Sequence, residues 1–101
     1  MARTVVWAES ASTDLLEILE YIARDSPFYA RAFALEVQEA ARSLALFAER
    51  GRVVPELGVP TVREVFVRRY RLVYRVREGS VDVVAVIHGA RDFPSAWRDR
   101  G

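Results

Sequence analysis

The sequence has 101 residues, about half of them hydrophobic, which bounds it to one globular domain over residues 1–101 and excludes a disordered chain. It has no cysteine and a single histidine, His88, so disulfides, thiol catalysis and thiolate or histidine-rich metal sites are excluded, and no metal or other cofactor is expected. The net charge of +1 hides a polarity: residues 1–50 hold five arginines against eight acids, and residues 51–101 hold ten against six, so the C-terminal half is the one suited to an anionic partner.

The first element is a short strand, Arg3-Thr4-Val5-Val6-Trp7, rich in β-branched and aromatic residues. The period then changes. Ala11, Leu15, Ile18 and Ile22 form the stripe of an amphipathic helix over residues 10–24, with Ser10 or Ser12 as its cap and Asp14 at the positive end of its dipole. Asp25-Ser26-Pro27 breaks the chain and starts a second helix, with Ser26 at the N-cap and Pro27 in the first helical position. Its stripe, Ala30, Phe33, Val37, Ala40, Leu44 and Phe47, predicts a helix to about Glu49, stopped by Gly51. Two helices joined by so tight a break form an antiparallel hairpin.

Beyond Gly51 the character is β. Residues 53–60 hold two prolines and a glycine and read as a loop. Strands are predicted over residues 62–67, 70–77 and 81–88, joined by Arg68-Arg69 and Glu78-Gly79-Ser80 as an antiparallel meander. Residues 93–100 suit a helical turn. The predicted fold class is α+β, in the order β-α-α-β-β-β, with the helical hairpin packed on one antiparallel sheet. Alternation in the middle strand puts Tyr70, Leu72, Tyr74 and Val76 against the helices, and Arg71, Val73, Arg75 and Arg77 on the opposite, open face. In the last strand, Asp82, Val84, Val86 and His88 form one set, and Val81, Val83, Ala85 and Ile87 the other. Both sets are apolar enough that alternation does not assign the core side.

All fifteen basic residues are arginine. Arginine stays protonated and clamps phosphate, so proton transfer would fall to Glu, Asp, Tyr or His88. No apolar run approaches the roughly 20 residues of a membrane span, and residues 1–7 hold no apolar stretch of leader length, so a cytoplasmic protein is expected.

Six segments in order carry a resemblance. They are Val6-Trp7-x-x-x-Ala11-x-x-Asp14-Leu15-x-x-Ile18-x-x-Tyr21-Ile22-Ala23, Asp25-Ser26-Pro27-x-x-Ala30, Gly51-Arg52-x-x-Pro55-Glu56-Leu57, Arg63-Glu64, Tyr70-Arg71-Leu72-Val73-Tyr74-Arg75-Val76 and His88-Gly89-Ala90-Arg91-Asp92. Over nearly the whole chain this resembles the RelE/ParE superfamily of toxins from type II toxin–antitoxin systems. The resemblance implies a toxin neutralised by a cognate antitoxin, as a hetero-oligomer, and one of two activities: inhibition of DNA gyrase, as in ParE-like members, or mRNA cleavage on the ribosome, as in RelE-like ones.

Lysine, in which the RelE-type site is rich, is absent. A second nuclease version, resembling YoeB, implies a glutamate base, an arginine clamp and a histidine, for which Glu56, Arg71 and His88 are the candidates. However, His88 is followed by Gly-Ala-Arg-Asp and does not end the chain, which looks ParE-like, so gyrase inhibition is the favoured expectation. Each candidate also has a structural reading: a salt bridge from Glu56 to Arg52 or Arg63, a solvated sheet face for the arginines, a strand-end hydrogen bond for His88, and pairing of Arg91-Asp92 with each other or with Glu64. Trp7 and Trp97 are expected to pack. Arg71, Arg75, Arg77 and Arg91 are the candidate contacts for an acidic antitoxin segment.

Overall fold

The computed structural model describes residues 2–98. Along the chain, β1 (Thr4–Trp7) leads into α1 (Glu9–Ala23) and α2 (Pro27–Ser43); β2 (Arg52–Val53), β3 (Val62–Val67), β4 (Tyr70–Val76) and β5 (Ser80–His88) follow, and α3 (Phe93–Arg98) comes last. Met1 and residues 99–101 lie outside the described residues, so the expected turn over residues 93–100 is seen only as far as Arg98.

The five strands form one sheet in the order β1-β5-β4-β3-β2. β2 to β5 are antiparallel neighbours, as the tight connections require, but β1 adds to β5 in parallel, with Thr4 opposite Ser80 and Trp7 opposite Val83. The sheet is therefore mixed rather than wholly antiparallel. The difference follows from the helical hairpin, which carries the chain back across the sheet and leaves a crossover between β1 and the rest.

The α1–α2 hairpin packs on one face. Phe33, Val37, Ala41 and Leu44 meet Val65, Val67, Leu72, Tyr74, Val81, Val83 and Val86 in the main core. Tyr70, Leu72, Tyr74 and Val76 all join this face, as alternation predicts. The last strand resolves the ambiguity in an unexpected way. Val73 pairs with Ala85 but Tyr74 pairs with Val83, so Val84 is a bulged residue with no partner of its own in the β4 register. The extra residue inverts the parity of β5. Val81 and Val83 on one side of it and Val86 on the other thus share the helix face, whereas Ala85 and Ile87 belong to the opposite face.

Side chains of α1 serve this bulge. The backbone N–H of Ala8 donates to Val83 O, the Ser10 hydroxyl donates to Val84 O at 3.1 Å, and the Asp14 carboxylate accepts from the N–H of Val86 at 2.9 Å. Ser10 and Asp14 therefore spend their polar atoms on the sheet; the N-cap position is Ala8, which makes no side-chain cap. At α2 the expected cap is present, with Ser26 Oγ accepting from the N–H of Tyr29 and Pro27 in the first turn.

α2 ends at Ser43, short of Glu49. The Ser43 hydroxyl bonds back to Ala40 O at 2.6 Å, the chain tightens into turns, and Phe47 is left 63% exposed. Gly51 has a different role from a helix stop. A Cβ there would meet Glu64 O and the Tyr74 hydroxyl at 2.5 Å each. Only glycine lets the chain pass this close, and the Gly51 N–H donates to the buried Tyr74 hydroxyl at 3.0 Å.

The face opposite the hairpin is not open. Val54 and Leu57 from the loop after β2, and Phe93, Ala96 and Trp97 from α3, cover Val62, Val73, Ala85 and Ile87 in a second, smaller core. Trp97 stacks on Phe93 and Trp7 packs against the main core, so both tryptophans are packing residues.

Candidate functional site

The second face carries a chain of alternating charges. Glu56 is delivered by the loop after β2. That loop folds over because the N–H groups of Leu57 and Gly58 both donate to Val54 O, because Gly58 takes the left-handed conformation (φ 64°), and because Val54 and Leu57 are anchored in the second core. The Glu56 carboxylate accepts both terminal nitrogens of Arg71, at 2.9 and 2.8 Å. Arg71 also lies 3.3 Å from Glu64 Oε1, an ionic contact that lacks hydrogen-bond alignment, and its guanidinium sits 4.9 Å over the Phe93 ring. Glu64, only 1% exposed, accepts from Arg52 Nε at 2.7 Å, and Arg52 in turn covers Phe66.

The bond from Arg71 holds the Glu56 carboxyl below its usual range, against the opposing effect of burial; the same bond raises Arg71. A carboxylate held in this way is a weak base, and the arginine fork that would clamp a phosphate is already filled. Glu56 thus makes its ion pair with Arg71, not with Arg52 or Arg63; Arg63 donates to Gly51 O.

His88 is elsewhere. It pairs across the sheet with Tyr70, and the two rings meet edge to face at 5.0 Å on the helix side. Arg71, the next residue along β4, pairs with Ile87 and points to the other side. The structure therefore brings Glu56 and Arg71 together and leaves His88 across the sheet from both. The His88 Nδ1 accepts from the N–H of Ala90 at 3.0 Å, the strand-end role open to it from the sequence.

The remaining arginines separate as well. Arg77 pairs with Asp82, whose carboxyl is lowered first by that bond and further by the Ser80 hydroxyl. Arg75 lies beside Asp82 in the β4–β5 register, and Arg91 is exposed just beyond β5; neither makes a side-chain hydrogen bond among the described residues. Asp92 turns towards α3, accepting from the Ser95 hydroxyl, and among the described residues Arg91 pairs with neither Asp92 nor Glu64.

Two features escape a reading of the residues one by one. Glu64 is the buried centre of the charge chain, and its one signal is a carboxylate amid the valines of a strand, on the face alternation gives to Val62. The other is a groove on the helix side, where hollows of about 420 and 210 Å³ adjoin at Tyr70 and His88. It gathers Tyr21, Tyr29, Arg68, Arg69 and Arg91 from four separate segments, which no local pattern links.

Comparison with known proteins follows the same outline. The family model described as the ParE toxin of type II toxin–antitoxin system, parDE, matches residues 5–93. The chain is 43% identical over 88 residues to a curated protein named Toxin RelE2 from Caulobacter vibrioides, covering 86% of this chain and 96% of that one. Among solved structures, a chain of the chromosomal ParDE TA system from P. aeruginosa superposes with a TM-score of 0.71 at 21% identity, covering 86% of this chain and 96% of that one, a likeness of fold.

Proposed function

This chain belongs to the family of ParE toxins of type II toxin–antitoxin systems, and from that premise we propose that it arrests growth by inhibiting DNA gyrase in the cytoplasm and is held inactive by a cognate antitoxin. The observation that carries the choice of target is the separation of His88 from Glu56 and Arg71. Cleavage of RNA by attack of a 2′-hydroxyl on its own phosphate needs a base, a cation and an acid around one phosphorus. Here the base candidate is bound to the cation candidate, Phe93 covers the cation, and the acid candidate lies across the sheet. A protein that acts by binding gyrase needs no such convergence.

The alternative, ribosome-dependent mRNA cleavage, draws on the Glu56–Arg71 pair as a base and clamp awaiting rearrangement. Of the arginines expected to meet the antitoxin, Arg71 and Arg77 are paired within the chain, so Arg75 and Arg91 are the two we offer to it. The deciding experiment assays the purified toxin side by side on gyrase supercoiling and on mRNA in programmed ribosomes. Loss of supercoiling with accumulation of cleaved DNA, and toxicity surviving in Glu56→Ala, Arg71→Ala and His88→Ala, is the expected result. Codon-dependent cuts in mRNA that vanish in those variants would overturn it.

A further inference from the structure

We propose that the outer edge of β1 is a self-pairing surface, on which a second copy of this chain adds its own β1 in antiparallel fashion to make one continuous sheet across two molecules. The pairing is independent of the target of the toxin.

The sheet has two edges, β1 and β2. β2 is only two residues long and carries the charge of Arg52, and short, charged edges resist pairing. β1 has neither guard. Its residues, Thr-Val-Val-Trp, include no charge and no proline, and its register with β5 is regular. The N–H groups of Thr4 and Ala8 donate inward, to Gly79 O at 3.1 Å and Val83 O at 2.9 Å. Alternation therefore turns the N–H and C=O of Val5 and Trp7 outward, where they have no partner among the described residues.

These free groups select one two-fold register. Val6 lies opposite the partner's Val6, and Val5 of each chain lies opposite the partner's Trp7, so each such pair exchanges both of its main-chain hydrogen bonds. A register centred on Val5 would set Trp7 against the partner's Arg3, whose N–H is already given to Ala45 O at 2.8 Å. A register centred on Trp7 would need the partner's Glu9, which is helical.

The side chains fit the same register on both faces. Val5 and Trp7 pack on the main core, so Val6 points to the other face, where it is 46% exposed. There it meets its own copy as a β-branched cross-strand pair. Beyond the paired residues, Arg3 comes beside the partner's Glu9. Glu9 is exposed without a side-chain partner among the described residues, and the one side-chain bond of Arg3, from Nε to Arg77 O, leaves its terminal nitrogens open. A strand with a cation at one end and an acid at the other complements itself when reversed.

The turn after α2 adds an apolar anchor. It is fastened to Arg3 through Ala45 O, and it exposes Leu46 and Phe47. Reversal of the strand brings this turn beside the partner's Trp7. A hollow of about 320 Å³ lies there, lined by Val5, Trp7, Gln38, Ala41 and Arg42, and it is of a size to take a phenyl ring. Knob and hollow lie on one molecule, as a two-fold interface requires.

Sedimentation of the purified full-length toxin tests the pairing. A monomer–dimer equilibrium with a dissociation constant of about 1–100 µM is expected, since the paired surface is small. Val6→Lys sets two cations face to face and should weaken association about tenfold or more, whereas Leu35→Lys, at an exposed position on α2, should stay within about threefold. Arg3→Glu and Glu9→Arg should each weaken it about tenfold. An equimolar mixture of those two variants should associate within about threefold of the wild type, because each then meets the charge it lacks. Mixing does not mend a folding defect, so recovery identifies the register. A wild type that stays monomeric up to about 0.5 mM overturns the proposal. So does an equal loss in Leu35→Lys, or a mixture of folded variants that fails to recover. Exchange protection at Val5 and Trp7 that appears only when antitoxin joins a monomeric toxin also overturns it, and gives the edge to an antitoxin strand.

Discussion

The Asp14 carboxylate accepts the backbone N–H of Val86, two residues past the bulge at Val84, across 72 positions of sequence. This bond and the Ser10 bond to Val84 O replace the strand partners that β5 loses where β1 ends. Asp14→Ala should therefore cost about 1–3 kcal/mol, the usual penalty for stranding a polar group away from water. Asp14→Asn retains an acceptor oxygen and should recover most of it. Urea unfolding midpoints of the three proteins check the ranking, and an alanine variant as stable as the wild type would contradict it.

Carboxylates lowered by arginine partners, Glu36, Glu56 and Asp82 among them, make stability depend on acid. Glu56 lies below its ordinary value of 4.5 because of the Arg71 bond, and Asp82 below 3.8 because of the Arg77 bond. Each contribution is present at pH values above the unfolded value and is lost as pH falls through the lower, folded one. Stability should thus be nearly flat from neutral pH down to about pH 5 and fall below about pH 4. Glu56→Gln should flatten part of that fall, whereas at neutral pH it should be the less stable protein. Denaturant titrations at a series of pH values would show both effects.

Gly51→Ala should be among the costliest single-methyl additions. Its Cβ would press on a backbone carbonyl and on the hydroxyl of fully buried Tyr74, and neither has room to withdraw. A loss of about 2–3 kcal/mol is expected, in the range for overpacking. Combining it with Tyr74→Phe should be less than additive, because the phenyl ring relieves one of the two clashes. A thermodynamic cycle on the four proteins measures that coupling.

Phe93→Ala tests the cover over the second face. Phe93 is almost fully buried, stacks on Trp97 and lies on the Arg71 guanidinium. Its loss should cost about 3–4 kcal/mol and loosen α3. Amide exchange in residues 93–98 should then speed up far more than in β3 or β4. Uniform acceleration would mean that α3 and the sheet unfold as one unit.

Most of the architecture was legible from periodicity. The stripe of α1, the Ser26-Pro27 start of α2 and the alternation of β4 all stand as read, because each reflects burial on one face of a regular element. The misreadings have physical causes. The stripe of α2 runs on through Leu44, but at Leu44 and Ala45 the backbone N–H groups donate to Ala41 O and Arg42 O, a tighter winding that ends the α-helix. The face of β5 was illegible because a bulge changes parity without a mark in the sequence; a run of valines reads the same with or without it. Glu56 beside Arg71 was readable as a pair of chemical types, yet the distance of His88 from them was not, since it depends on which face of β5 carries His88, and the bulge at Val84 sets that. Glu64 was visible only as part of a two-residue element, since nothing local reports that Arg52 and Arg71 will enclose it.

The pairing of β1 with β5 has a consequence for when this protein comes into being. The first strand finds its neighbour in residues 80–83, nearly at the other end of the chain, and α1 fastens to residues 84–86. Such distant contacts slow folding and defer it until both ends exist. During synthesis the helical hairpin leaves the ribosome long before the strand on which it must rest. The sheet therefore closes only after almost every residue has been translated, and a truncated product lacking β5 should have neither a folded core nor toxicity. For a toxin, the last strand acts as a check on completeness.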